Sequence, residues 1–149
     1  MAHYKATVET ARAPEDVFAY LSDFSTAAEW DPGTIECERL GDGPIGIGTE
    51  FRLLASFLGR KSTLTYTIIA YDPPRQVTFR GENATVVSLD RIDFEPLDSG
   101  TRVVYDAELT LKGPAKLADP LLGLAFKRVG DQALDGMRAT LGAGDSERP

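Results

Sequence analysis

The chain has 149 residues, enough to bury a core of its own without disulfides or a structural metal, so a single domain is expected. Its 16 basic and 23 acidic residues give a formal charge of −7, which argues against nucleic acid or an anionic membrane surface as partner. One Cys and one His exclude a zinc site of the usual nitrogen and sulfur kind, and no apolar run has the length of a signal peptide or membrane span, so a cytoplasmic protein without integral membrane association is expected.

Residues 2–10, AHYKATVET, alternate: Tyr4, Ala6 and Val8 share one face and His3, Lys5, Thr7 and Glu9 the other, the pattern of a half-buried strand. In ARAPEDVFAYLSDF, Pro14 suits a first helical turn, Glu15 and Asp16 favour its positive end, and Val17, Phe18 and Leu21 form the apolar stripe. This predicts a short helix ending near Ser22. Asp23 or Ser25 is placed to cap a second short helix over STAAEW, which Pro32 and Gly33 stop.

Residues 34–111 read as strand after strand. TIECERL and GTEFRLLASFL flank a glycine-rich loop, and Phe51, Leu53, Ala55 and Phe57 share a face. RKSTLTYTIIAYD places Leu64, Tyr66, Ile68 and Ala70 on one face, and DPPR is a turn because two prolines cannot continue a central strand. QVTFRGE, TVVSLDRIDFEPL and TRVVYDAELTL follow with short connections, which implies an antiparallel meander. The period then changes. Leu122, Phe126, Val129, Ala133, Met137 and Leu141 recur at spacings of three and four along one long helix, with Pro120 marking its start or a break and Pro114 serving a short opening turn. Gly123, Gly130 and Gly136 interrupt it, either tolerated or used to keep the helix close to the sheet or to leave space beneath it. One sheet and one covering helix make an α+β domain, and a twisted meander curling around that helix encloses a space.

Taken together, ARAPEDVFAYLSDFSTAAEW, GPIGIGTEF, YDPPRQVTF, DRIDFEPLDSGTRVVYDAEL and LKGPAKLADPLL resemble the START-like, or SRPBCC, superfamily, particularly its polyketide cyclase/dehydrase branch. The resemblance spans roughly residues 3–141. It implies the helix-grip fold: a curved seven-stranded antiparallel sheet wrapped around a long C-terminal helix, two short helices between strands 1 and 2, and an apolar cavity. On this basis residues 1–142 are expected to form one domain and residues 143–149 a flexible tail. The family includes lipid carriers, hormone receptors, cyclases and chaperone cofactors, so chemistry has to come from residues.

Alternation assigns Tyr4, Ala6, Phe51, Leu53, Leu64, Tyr66, Ile68, Val77, Phe79, Val103, Tyr105 and Ala107 to the inner face, opposite Leu122, Phe126, Val129, Ala133 and Met137. Such a lining, with a few phenols, is that of a small-molecule pocket or of a filled core. Strand TVVSLDRIDF breaks phase: Val87 and Leu89 have one parity, Ile92 and Phe94 the other. Either a β-bulge near Asp90 and Arg91 restores the phase, or Ser88 and Asp90 point inward. In the second case Asp90 is a polar ligand contact or a general base, with Tyr66 and Tyr105 as proton donors. Trp30 packs at the end of the cavity, a structural residue or a rim contact. Arg75, Arg80, Arg91 and Arg102 are expected to pair on the outer surface with Asp93, Glu95, Asp106 and Glu108, and Cys37 to be a plain strand residue.

No nucleophile elbow, phosphate loop or dinucleotide fingerprint is present, and His3, at the terminus, serves neither a triad nor a histidine-assisted cyclisation. Three readings follow. The first is a protein, monomer or homodimer and needing no cofactor, that binds a small hydrophobic or aromatic molecule of lipid, polyketide or isoprenoid type. The second is a cyclase/dehydrase-type enzyme using Asp90 with Tyr66 or Tyr105. The third is a protein-interaction module with a filled cavity.

Overall fold

The computed structural model describes residues 2–57 and 59–142. Strand β1 (Ala2–Thr10) leads through helix α1 (Pro14–Ser22), a 3₁₀ turn (Phe24–Thr26) and helix α2 (Ala27–Trp30) into strands β2 (Thr34–Leu40), β3 (Glu50–Phe57), β4 (Arg60–Asp72), β5 (Gln76–Glu82), β6 (Val86–Leu97) and β7 (Gly100–Leu111). A 3₁₀ segment (Gly113–Ala118) then enters helix α3 (Asp119–Leu141). The seven strands form one antiparallel sheet in the order β1-β7-β6-β5-β4-β3-β2, so β1 closes against the last strand and everything between is a meander. Pro14 opens α1 as the sequence predicts; Asp23 accepts from Ser25 N–H at 3.2 Å, but what it caps is the 3₁₀ turn, and α2 begins later, at Ala27, without a side-chain cap.

Two bulges interrupt the sheet, neither of them in β6. One lies between Thr34 and Glu36; the other lies between Ile68 and Ala70, where two β4 residues oppose Thr78. The β4 bulge reverses the expected phase of Ala70. Tyr71, not Ala70, pairs with inward Val77 and meets Phe18 at 5.4 Å, while Ile69 is pushed outward.

Helix α1 covers one end of the sheet and fills it. Phe18 sits edge-on to Phe94 at 5.1 Å, and Val8, Val17, Leu21, Ile68, Val77, Ile92 and Val103 are all buried with it. Each such side chain contributes roughly 1.5–3 kcal/mol on leaving water. Helix α3 covers the other end and is held to β1 and α2. Thr10 Oγ1 donates to Leu141 O at 2.9 Å, and Tyr4 donates to Asp131 at 2.6 Å, an acceptor also paired with Lys127. Glycines set its approach: a Cβ on Gly136 would lie 1.8 Å from Trp30 O, and one on Gly130 would lie 2.5 Å from the Tyr4 ring. Gly123 faces open space, so close packing does not explain it.

On the outer face Arg91 pairs with Asp93 and Arg102 with Glu95, as expected. Arg80 and Arg75 choose nearer partners, Glu82 and Asp72, and His3 takes Asp106. The expected tail, 143–149, lies outside the described residues.

Candidate functional site: a cavity between sheet and helix

Where α1 no longer reaches, α3 seats on β1 and α2 but stands off the middle of the sheet, and a cavity of about 550 Å³ remains between them. Its walls are the inward positions of the sheet (Leu53, Ala55, Leu64, Val86, Ala107, Leu109, Leu111) and the apolar stripe of α3 (Leu122, Phe126, Val129, Ala133, Met137). Exposed Arg60, Lys61 and Thr85 mark where it reaches the surface.

The polar groups gather at the inner end. Strand β6 runs beside β5 and β7 with no break in register, so Val86, Ser88, Asp90, Ile92 and Phe94 all point inward and are buried. The inward alternative for Ser88 and Asp90 is the one realised; the bulge alternative is not. Asp90 Oδ1 accepts from Ser88 Oγ at 2.7 Å, and Oδ2 accepts from the Tyr105 hydroxyl at 2.5 Å. Burial pushes the Asp90 carboxyl up from the ordinary value; the two donors pull it back only in part, and Asp31 adds to the rise. Burial, and then the Asp90 charge, hold the Tyr66 and Tyr105 phenols well above their ordinary value. Both therefore remain proton donors at neutral pH.

A second carboxyl on the cavity wall was not singled out from the sequence. Asp31, just after Trp30, accepts from Gly33 N at 2.9 Å and from Thr34 Oγ1 at 2.9 Å. Its carboxyl is also pushed up, by burial first. The stretch DPGT, read only as a helix stop, carries the signal: an Asp two residues before Gly folds back onto its own backbone.

Trp30 is 3% exposed, lines the cavity, and stands edge-to-face to Tyr105 at 6.0 Å and to Phe24 at 6.3 Å. Its indole N–H has no acceptor among the described residues. Of the other expected contacts, Leu53, Leu64, Tyr66, Ser88, Asp90, Tyr105, Phe126, Val129 and Met137 are on the cavity wall. Phe51 and Phe79 are not. Phe24, from the 3₁₀ turn, stacks on Phe79 at 4.4 Å and meets Phe51 at 6.2 Å, so both are sealed in the filled core behind it. Ile68, Val77 and Val103 are likewise inward but lie in the filled half.

Cys37 is half-buried on β2 and its thiol is pushed up to about 12 by burial first, then by Asp23 and Glu38, which leaves it a poor nucleophile. No group of three or more potential metal ligands occurs among the described residues. No described helix is long and apolar enough to cross a membrane.

Residues 1–142 match the family described as polyketide cyclase / dehydrase and lipid transport. No curated protein matches the chain. Among solved structures, a protein from Thermus thermophilus superposes with a TM-score of 0.77 at 20% identity, over 97% of this chain and 99% of its own. A START superfamily protein from Mycobacterium smegmatis gives 0.72 at 18% identity, over 95% and 98%. The Zhui aromatase/cyclase from a Streptomyces species gives 0.72 at 21% identity, over 95% and 97%. At these identities the likeness is one of fold.

Proposed function

The chain belongs to the polyketide cyclase/dehydrase and lipid-transport family of the START-like superfamily, and from that premise we propose that it binds a small hydrophobic or aromatic molecule in the cavity between sheet and α3. The observation that carries this reading is the cavity itself. About 550 Å³ of apolar-walled space is within the range of small-molecule sites, and a void of that size serving no ligand would be a large loss of packing. The same space counts against a module whose cavity is filled. A neutral fluorescent probe, N-phenyl-1-naphthylamine, should brighten on binding and be displaced by lipids, polyketide surrogates or isoprenoids. Ala107→Phe, which puts a ring into the space, should weaken the probe at least tenfold while the protein stays folded. Unchanged affinity in that variant would exclude the cavity as the site.

One observation favours a second reading, catalysis of the cyclase/dehydrase kind. Asp90 and Tyr105, joined at 2.5 Å on the cavity wall, form an acid-base pair of the sort that moves a proton between a carbon next to a carbonyl and the carbonyl oxygen. The apolar walls would hold a flexible substrate folded for intramolecular attack. Under this reading Asp90→Asn keeps affinity for a neutral ligand and abolishes turnover; under simple carriage no turnover exists to lose.

A further inference from the structure

We propose that the inner end of the cavity is built to receive a protonated amine, so that the ligand is an aromatic or aliphatic amine that enters nitrogen first. The inference rests on the cavity reading above and adds the charge class of its occupant.

Two carboxyls, Asp31 and Asp90, stand on the wall of one apolar space, and every donor each of them has is neutral: a peptide N–H and a hydroxyl for Asp31, two hydroxyls for Asp90. The ion pairs among the described residues include neither of them. The basic residues of the cavity, Arg60 and Lys61, are at its exposed end. Along β4, Lys61 and Arg60 lie five and six residues from Tyr66, about 16–20 Å of strand, and neither forms an ion pair with Asp31 or Asp90 among the described residues. A buried carboxylate without a counter-charge is costly, and this protein keeps Asp90 buried and Asp31 half-buried beside an open space.

The rings around that space point to the same occupant. Phe24, Trp30, Tyr66 and Tyr105 all line it and touch in sequence, Tyr66 to Phe24 at 4.9 Å, Phe24 to Trp30 at 6.3 Å, Trp30 to Tyr105 at 6.0 Å. Faces of aromatic rings attract cations, and rings grouped beside carboxylates form a cage in which an ammonium group replaces its lost water with π-faces and charged acceptors. An anionic ligand meets the reverse at this end: two carboxyls, with Ser88 and Tyr105 already donating to Asp90.

The test compares three near-isosteres, 2-(2-naphthyl)ethylamine, 2-(2-naphthyl)ethanol and 2-naphthylacetate, titrated calorimetrically into the protein at pH 8. The amine should bind about tenfold more tightly than the alcohol, and the acetate most weakly. Asp90→Asn should erase most of the amine's advantage over the alcohol, and Asp31→Asn gives a second, independent reading of the same effect. Equal binding of all three, a preference for the acetate, or an advantage of the amine that survives both substitutions overturns the inference while the alcohol's binding keeps the cavity reading. Binding of none of the three overturns both.

Discussion

Asp90 shows how much can depend on the phase of one strand. Its neighbours Val87 and Leu89 suggest one face, Ile92 and Phe94 the other, and sequence alone leaves two solutions. The uninterrupted β5–β6–β7 register selects the costly one, a carboxyl inside. Because burial raises its pKa and that of Asp31, the folded protein holds these protons to higher pH than the unfolded chain does. The stability this confers is complete below the ordinary Asp pKa and is lost as pH rises through the raised one. Thermal unfolding across pH 3–8 should therefore show Asp90→Asn with a higher Tm than the parent at neutral pH and a flatter fall from the acid side. A lower Tm at pH 7 would mean the ionised carboxylate is stabilised after all. Tyr105→Phe removes one of the two donors and should cost about 1–3 kcal/mol at neutral pH by denaturant titration, since it strips a hydrogen bond from a buried charge. Trp30 was legible as a cavity-end residue because it is a lone large ring at a helix stop. Trp30→Ala should cost about 3–5 kcal/mol and change the ranking of neutral ligands little. The roles of Phe51 and Phe79 were not legible: alternation gives the face a side chain points to, never what stands in front of it, and Phe24 does so here.

Among the elements, strands and helices were readable nearly to their ends because punctuation is explicit: Pro14, Asp23, Pro32-Gly33, Pro73-Pro74 and Pro120 each stand at a boundary. The β4 bulge was not readable. TIIAY contains apolar residues at both parities, so nothing in the alternation marks where an extra residue enters, and only pairing with Thr78 fixes it at Ile69. Helix α3 shows the same division. Three glycines look alike in sequence yet meet different surroundings. Gly136→Ala, forced against Trp30 O, should destabilise by roughly 1–3 kcal/mol. Gly123→Ala, facing open space, should stabilise by up to about 1 kcal/mol through helix propensity alone. Equal effects at the two positions in urea unfolding would contradict the described seating of α3 on α2.

At the level of the whole molecule, the sheet has more inner surface than its helices cover closely. Helix α1 with Phe24 fills one half as a core, and α3, seated on β1 and α2, spans the other half with the cavity beneath it. This division turns a curved sheet into a container, and it follows from long strands and two short helices at one end. The sequence pattern and the family resemblance both anticipated the container. Its polar inner end was half-visible, in Ser88, Asp90, Tyr66 and Tyr105, and half-hidden, in Asp31, whose role depends on a turn that brings the start of β2 to the cavity wall. The central claim is that this space holds a molecule. Native mass spectrometry of the protein isolated from its own host tests that most directly. An adduct of a few hundred daltons, released on denaturation and lost from Ala107→Phe, is the expected result. A bare polypeptide mass, together with no binding in a broad screen of lipids, polyketides and amines, would contradict it.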